Sequence, residues 1–89
     1  MTDSAPLGII AGAGRFPLAL AEAASARGRP VFAILLKGIA GPELEIFPHE
    51  WVGIGRFGQI IQAARRAGCR DLVFIGSLVR PHLWNTVPD

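Results

Sequence analysis

Short apolar runs separated by glycine-bearing turns are the main pattern in this chain. The run 31–36 (VFAILL) contains no polar residue and no alternation, which is typical of a strand buried on both faces. Strands of this kind occur mainly in parallel sheets that helices cover on both sides. The sequence predicts strands at four places, which are 7–11, 31–36, 51–54 and 72–75.

Two helices are predicted between these strands. Segment 16–27 is rich in Ala and Leu, with Pro17 suited to a first helical turn and Gly28 to the position just past the end. Segment 57–67 is amphipathic and is followed by Gly68, a good helix terminator. Its apolar residues recur at helical spacing and are Phe57, Ile60, Ile61, Ala64 and Ala67.

The order of the elements indicates the fold class. Strand–helix–strand occurs twice, which is the pattern of an α/β domain. Because such crossovers are right-handed, the simplest arrangement is a four-stranded parallel sheet in the order 3-2-1-4, with helices on both faces. We predict that the domain spans 7–80, after a tail at 1–6 and before an exit segment at 81–89. Segment 37–50 is predicted as a loop with one helical turn over 42–47.

This strand order places two distant turns side by side. In an open parallel sheet the ligand crevice lies at the carboxyl ends of the strands, where the chain connections diverge. Gly12, Ala13 and Gly14 follow the first strand, and Gly76 and Ser77 follow the fourth. We therefore expect these residues to meet at one crevice between strands 1 and 4.

Composition narrows the class of protein. The 89 residues are 51% hydrophobic and 18% charged, which excludes a disordered or low-complexity chain. A single cysteine, Cys69, excludes an internal disulfide and is expected to be a small buried residue. A net charge of +2, with arginines on a solvated helix face, gives no basis for nucleic-acid binding. So apolar a short chain suggests that part of its surface is covered by something else.

The segment GAGRFP at 12–17 resembles the start of a dinucleotide-binding turn, G-x-G-x-x-G. Pro17 stands at the third glycine position, and segment 34–37 has no acid that could hold a ribose, so NAD binding is disfavoured. Two interpretations stay open. The glycines either let the backbone approach a phosphate or merely form a tight turn between strand and helix.

Other candidate groups give weaker signals. Arg15 and Arg80 are either phosphate contacts or solubilising residues. His49 and His82 have no carboxylate or cysteine at ligand spacing, so no metal site is expected from them. The carboxylates form no pair placed for general acid–base catalysis. The sequence thus predicts a binding crevice and no catalytic residue.

Three blocks, LGIIAGAGRFPL at 7–18, VGIGRFG at 52–58 and FIGSLVRP at 74–81, give the chain a family resemblance. In this order they resemble the N-terminal part of the LpxI-type UDP-2,3-diacylglucosamine pyrophosphatases. The resemblance implies a hydrolase of lipid A biosynthesis that needs Mg²⁺ and releases 2,3-diacylglucosamine 1-phosphate and UMP. It also implies a Rossmann-like N-terminal domain that binds substrate together with a C-terminal domain carrying the essential acids.

The resemblance assigns binding residues but no catalytic or metal-binding residue to these 89 positions. Gly12, Ala13, Gly14 and Ser77 match motif positions near the ligand cleft and are the substrate-binding candidates. Without the C-terminal domain, the chain is expected to be inactive. The implied partners are the nucleotide-lipid substrate and that second domain. A homodimer is also compatible with the resemblance.

No signal peptide or membrane span is visible, so a cytoplasmic location is expected, with peripheral contact at the inner membrane left open. Two other functions also stay open at this stage. One is a nucleotide-binding module of another Rossmann-like enzyme, such as a nicotinamide-dependent reductase. The other is a non-catalytic assembly domain, which would bind no small molecule.

Overall fold

A computed structural model describes residues 5–74 and 77–79 of the chain. Two α-helices and a 3₁₀ turn connect the strands of one sheet. In chain order the elements are β1 (Leu7–Ala11), α1 (Phe16–Ala26), β2 (Val31–Leu36), the 3₁₀ turn (Pro42–Ile46), β3 (His49–Val52), α2 (Phe57–Ala67), β4 (Asp71–Phe74) and β5 (Ser77–Val79). None of the helices in this described part is long and apolar enough to cross a membrane.

The sheet has the order β3-β2-β1-β4-β5, and β1 to β4 are parallel. The predicted α/β class and the order of the four parallel strands are therefore confirmed. β5 is antiparallel and pairs with β4 through Phe74 and Ser77 at one end and Leu72 and Val79 at the other. This strand was not predicted, because a run of three residues is too short to show a period.

The third strand lies two residues earlier than the apolar pattern predicts. It begins at His49 opposite Ala33 and ends at Val52 opposite Leu36. Among the described strands β3 is at the edge of the sheet, where polar side chains such as His49 reach solvent, so its start is not marked by hydrophobicity. Ile54, predicted within the strand, lies instead in an exposed turn.

Each face of the sheet has its own half of the core. The α1 face buries Ile9, Leu35 and Val73, together with Ala21 of the helix. The α2 face buries other side chains, which are Ile34, Leu36, Val52, Ile60, Ala63, Ala64, Cys69 and Leu72. Neighbours along a strand, such as Ile34 and Leu35, thus point to opposite faces, and the two helices cover opposite sides as predicted.

The two helices are buried to different extents. α2 places three residues in the core, whereas Ala21 is the one buried residue of α1. Phe57, predicted on the buried face of α2, is 68% exposed. It is the first residue of its helix, directly after the β3–α2 turn, and lies outside both core clusters.

The amino end of the sheet is closed by polar contacts. Arg29 Nη2 donates to Asp71 Oδ2 at 3.0 Å, and Arg29 Nε donates to the Ala5 carbonyl oxygen at 3.4 Å. Asp71, the first residue of β4, is 5% exposed and is the buried charged residue of the described chain. The amide of Leu7 also donates to the Pro30 carbonyl at 2.8 Å. These contacts join the starts of three neighbouring strands.

Candidate functional site

The carboxyl ends of β1 and β4 lie side by side, as the predicted strand order requires. Ile10 of β1 is the register partner of Phe74 of β4, which is in turn the partner of Ser77 of β5. Gly12 and Ala13 follow β1 directly. The backbone therefore brings the glycine turn and the start of β5 to the same end of the sheet.

A cavity of about 620 Å³ opens at this end of the sheet. It extends around the strand ends, because its wall includes both Ile9 of the α1 face and Ile10 of the α2 face. All described residues that line it are apolar and are Ile9, Ile10, Gly12, Ala13, Phe16, Pro17, Leu20, Leu36, Ile39, Val73 and Phe74. Such a wall suits an apolar group better than a phosphate.

The glycines of the turn have different reasons to be glycine. Gly14 has φ +98°, a conformation that other residues rarely adopt, so the turn itself requires it. Gly12 has no such φ, and an added Cβ would meet only Ile39 Cγ2 at 3.5 Å, an ordinary contact. Gly12 lines the cavity, so the absence of a side chain there leaves space in the cavity. The backbone conformation at Gly12 does not itself require glycine.

The predicted site residues are only partly brought together. Gly12 and Ala13 line the cavity, whereas Gly14 and Arg15 are exposed in the turn beside it. For Ser77 the structure gives the backbone position at the start of β5, opposite Phe74. Gly76, His82 and Arg80 lie outside the described residues.

The aromatic and aliphatic residues of the cavity wall were not predicted from the sequence. Phe16 and Phe74 are 53% and 42% exposed, although large apolar side chains are usually buried. Leu20 and Ile39 complete the wall from α1 and from the loop after β2. The available signal was the helical spacing of Phe16 and Leu20, which places them on one face of α1, above the end of β1.

Basic residues follow three of the parallel strands at the same end. Arg15 comes after β1, Lys37 after β2 and Arg56 before α2, and all three are exposed. The connecting segments 12–15, 37–41 and 53–56 contain no acid. The connecting segments at the carboxyl end of the sheet therefore carry positive charge, whereas the described lining of the cavity is apolar.

The described residues offer no metal centre. Within residues 5–74, no group of three His, Cys, Asp or Glu side chains lies close enough to hold an ion. His49 Nδ1 is 2.8 Å from the Phe47 carbonyl oxygen on the exposed side of β3. Cys69 is buried as predicted, and burial raises the pKa of its thiol from 9.0 to about 11, although the charge of Arg29 acts in the opposite direction. A thiol with so high a pKa is a poor nucleophile near neutral pH.

Comparison with known families shows the family to which the chain belongs. The family model of the LpxI N-terminal domain matches residues 6–89. The chain belongs to this family. The match confirms the resemblance carried by the three sequence blocks, and it makes the apolar cavity a feature of an LpxI N-terminal domain.

A curated relative of this LpxI N-terminal domain is the UDP-2,3-diacylglucosamine pyrophosphatase LpxI of Caulobacter vibrioides. The two are 41% identical over 83 residues, which are 93% of this chain and 30% of the relative. The LpxI N-terminal domain described here thus spans less than a third of the length of the curated relative it matches.

Proposed function

We propose that this domain binds substrate in a lipid A pathway hydrolase that cleaves UDP-2,3-diacylglucosamine to 2,3-diacylglucosamine 1-phosphate and UMP. The observation that carries the proposal is the 41% identity, over nearly the whole domain, to an enzyme named for that substrate. The position of the cavity supports it, because ligands of open α/β sheets bind at the carboxyl ends of the strands.

The turn after β1 supports a binding role at the rim. Gly12 and Ala13 form part of the cavity wall, and Gly14 and Arg15 are exposed next to it. We propose that this turn contacts the sugar or phosphate of the nucleotide lipid, with Arg15 as a charged partner of the pyrophosphate. Ser77, at the start of β5, and Arg80, which lies outside the described residues, remain proposed contacts.

The catalytic step is proposed to depend on a further domain. A Mg²⁺ ion bound by protein is held mainly by carboxylate oxygens. The described carboxylates do not fit such a site, since no three of the described His, Cys, Asp and Glu side chains lie close enough together to hold an ion. Glu50 pairs with Arg66, and Asp71 pairs with Arg29. We therefore assign the metal and the catalytic acids to the larger part of the enzyme, and expect the 89-residue chain alone to be inactive.

Binding of the 89-residue chain to UDP-2,3-diacylglucosamine in detergent micelles tests the proposal, with calorimetry as the measurement. Binding of the nucleotide lipid, weaker binding of UDP and none of NADH are the expected results. Binding of NADH without binding of the lipid would favour a nicotinamide-dependent enzyme. No binding of any of the three would favour an assembly domain and overturn the proposal.

A second measurement tests the proposal that the catalytic groups lie in another domain. Release of UMP by the purified 89-residue chain with Mg²⁺ is expected to be absent. Measurable Mg²⁺-dependent release would show that the catalytic groups lie within this chain.

A further inference from the structure

The turn between β3 and α2 repeats a pattern that the candidate site uses once. Segments 12–16 and 53–57 both read G-x-G-R-F, and each places its phenylalanine first in an 11-residue helix. The second glycine has positive φ in both, +98° at Gly14 and +86° at Gly55. The first turn contributes to the cavity wall, whereas no residue of the second does. The proposed binding site therefore does not explain the composition of the second turn.

Two large apolar side chains of this second turn face solvent. Ile54 is 59% exposed and Phe57 is 68% exposed, and both lie outside the two halves of the core. The turn is closed by a hydrogen bond from the Arg56 amide to the Gly53 carbonyl oxygen at 3.2 Å. Side chains exposed in this way contribute little to folding, and neighbouring ones of this kind mark an interaction surface.

Basic residues accompany these two side chains. Arg56 lies within the turn, and Lys37 lies at the neighbouring strand end, where its amide donates to the Val52 carbonyl oxygen at 2.9 Å. Arg56 and Lys37 are both exposed, and segments 37–41 and 53–57 contain no acid. Together these groups form a surface that we call the β3–α2 surface, which consists of Lys37, Ile54, Arg56 and Phe57.

We infer that the β3–α2 surface docks the domain onto a lipid bilayer that contains anionic phospholipid. Exposed apolar side chains beside basic ones match such a bilayer, because hydrocarbon lies directly beneath its negatively charged headgroups. Ile54 and Phe57 would enter the boundary of the hydrocarbon, and Arg56 and Lys37 would pair with phosphates of the headgroups. A protein partner would have to supply acids and an apolar pocket at matching positions, whereas a bilayer offers both over its whole surface.

This inference does not rest on the proposed function. None of the four residues of the β3–α2 surface lines the cavity, so docking concerns a different part of the domain from the candidate site. The charge complementarity that supports it is local, since the two connecting segments hold two bases and no acid.

Matched controls lie toward the opposite end of the sheet. Ile46 is 76% exposed and ends the 3₁₀ turn that precedes β3. Arg27 is exposed at the end of α1, before the start of β2. Ile46→Ser and Arg27→Gln therefore remove the same apolar group and the same charge as Ile54→Ser and Arg56→Gln, but away from the β3–α2 surface.

The experiment measures co-sedimentation of the 89-residue chain with vesicles of phosphatidylcholine, either alone or mixed with phosphatidylglycerol. Binding to the mixed vesicles is expected, and it should weaken as salt is raised. Arg56→Gln should weaken it about fivefold, the contribution of one basic residue near an anionic surface. Ile54→Ser should weaken it by at least about fivefold, because a large apolar side chain no longer leaves water. The two control variants should bind like the unmodified chain, and circular dichroism checks that every variant is folded.

Several outcomes would overturn the inference. Equal binding to both kinds of vesicle, or equal losses in Ile54→Ser and Ile46→Ser, would indicate adsorption through any exposed apolar group. Absence of binding to either vesicle would also overturn it, and would favour an acidic protein face as the partner of the β3–α2 surface. The vesicles contain no nucleotide lipid, so failure of docking and failure of the proposed function are distinguishable.

Discussion

The two ends of the same sheet are built from different chemistry. At the amino end, a partly buried ion pair between Arg29 and Asp71 and a backbone hydrogen bond from Leu7 join neighbouring strands. At the carboxyl end, glycine turns, exposed aromatic rings and an apolar cavity leave the structure open. β1 is only five residues long. Its amino end therefore lies among contacts that stabilise the fold, and its carboxyl end lies beside a cavity open to a ligand.

Packing within β1 follows the same division. A Cβ added at Gly8 would lie 2.5 Å from Leu72 Cδ2 and 3.2 Å from Cys69 Sγ, both in the core. At Gly12, just past the other end of the strand, the added atom would meet one side chain at 3.5 Å. Glycine is thus needed for close packing at the first position and for open space at the second.

The largest expected effect comes from the same substitution at these two glycines. Gly8→Val should lower the free energy of unfolding by about 3 kcal/mol, because the core cannot take the added volume without strain. Gly12→Val should change it by less than about 1 kcal/mol but impair binding of the nucleotide lipid. Urea unfolding of both variants is the measurement. Equal destabilisation would contradict the difference between the two ends.

Removing the ion pair at the amino end should have the next largest effect. Arg29→Ala should cost about 2 kcal/mol, since it removes a charge-assisted hydrogen bond from the buried carboxylate of Asp71. The control is Arg66→Ala, which removes an exposed ion pair to Glu50 of similar length, 2.9 Å, and should cost less than about 0.5 kcal/mol. Similar losses in the two variants would show that burial does not strengthen the Arg29–Asp71 pair.

A pH-dependent loss of stability is expected from Cys69. Its pKa is raised to about 11 in the fold, from 9.0, so the folded state holds the thiol proton where the unfolded state has lost it. This contribution is complete below pH 9 and is lost as pH rises from 9 to 11, with a cost of about 1 kcal/mol by pH 10. Unfolding of the unmodified chain and of Cys69→Ala should be compared from pH 8 to pH 11. Parallel curves would indicate that the thiol does not contribute.

The smallest effect is expected in the exposed turn before α2. Ile54 is 59% exposed and lies outside both halves of the core. Ile54→Ser should therefore change the free energy of unfolding by less than about 0.5 kcal/mol. A loss of 2 kcal/mol or more, measured by urea unfolding, would mean that this part of the carboxyl end also stabilises the fold.

The sequence alone was enough to predict the elements whose hydrophobicity follows the backbone. β1 and β2 have the predicted bounds, and Cys69 is buried as expected. The edge strand β3 was shifted, since one side of it faces solvent and its first residues are polar. Pairing between Arg29 and Asp71, 42 positions apart, depends on the tertiary fold and left no local signal.

The strand order predicted the crevice at the carboxyl ends of β1 and β4, whereas the apolar lining of the cavity there was not predicted. Glycines at Gly12 and Gly14 suggested a phosphate, because backbone approach is the usual reason for a glycine-rich turn after a strand. The apolar wall arises from Phe16, Leu20 and Phe74, which are far apart in sequence or look like ordinary core residues. Only their incomplete burial distinguishes them, and that is a property of the packed structure.

The cavity reaches both faces of the sheet, and this has a consequence for cooperativity. Ile9 belongs to the α1 half of the core and Ile10 packs against the α2 half, yet both line the same space. A ligand held there would touch both hydrophobic layers, which lie on opposite faces of the sheet. Occupancy should therefore slow amide hydrogen exchange in α1 and α2 together, and the two layers should unfold as one unit.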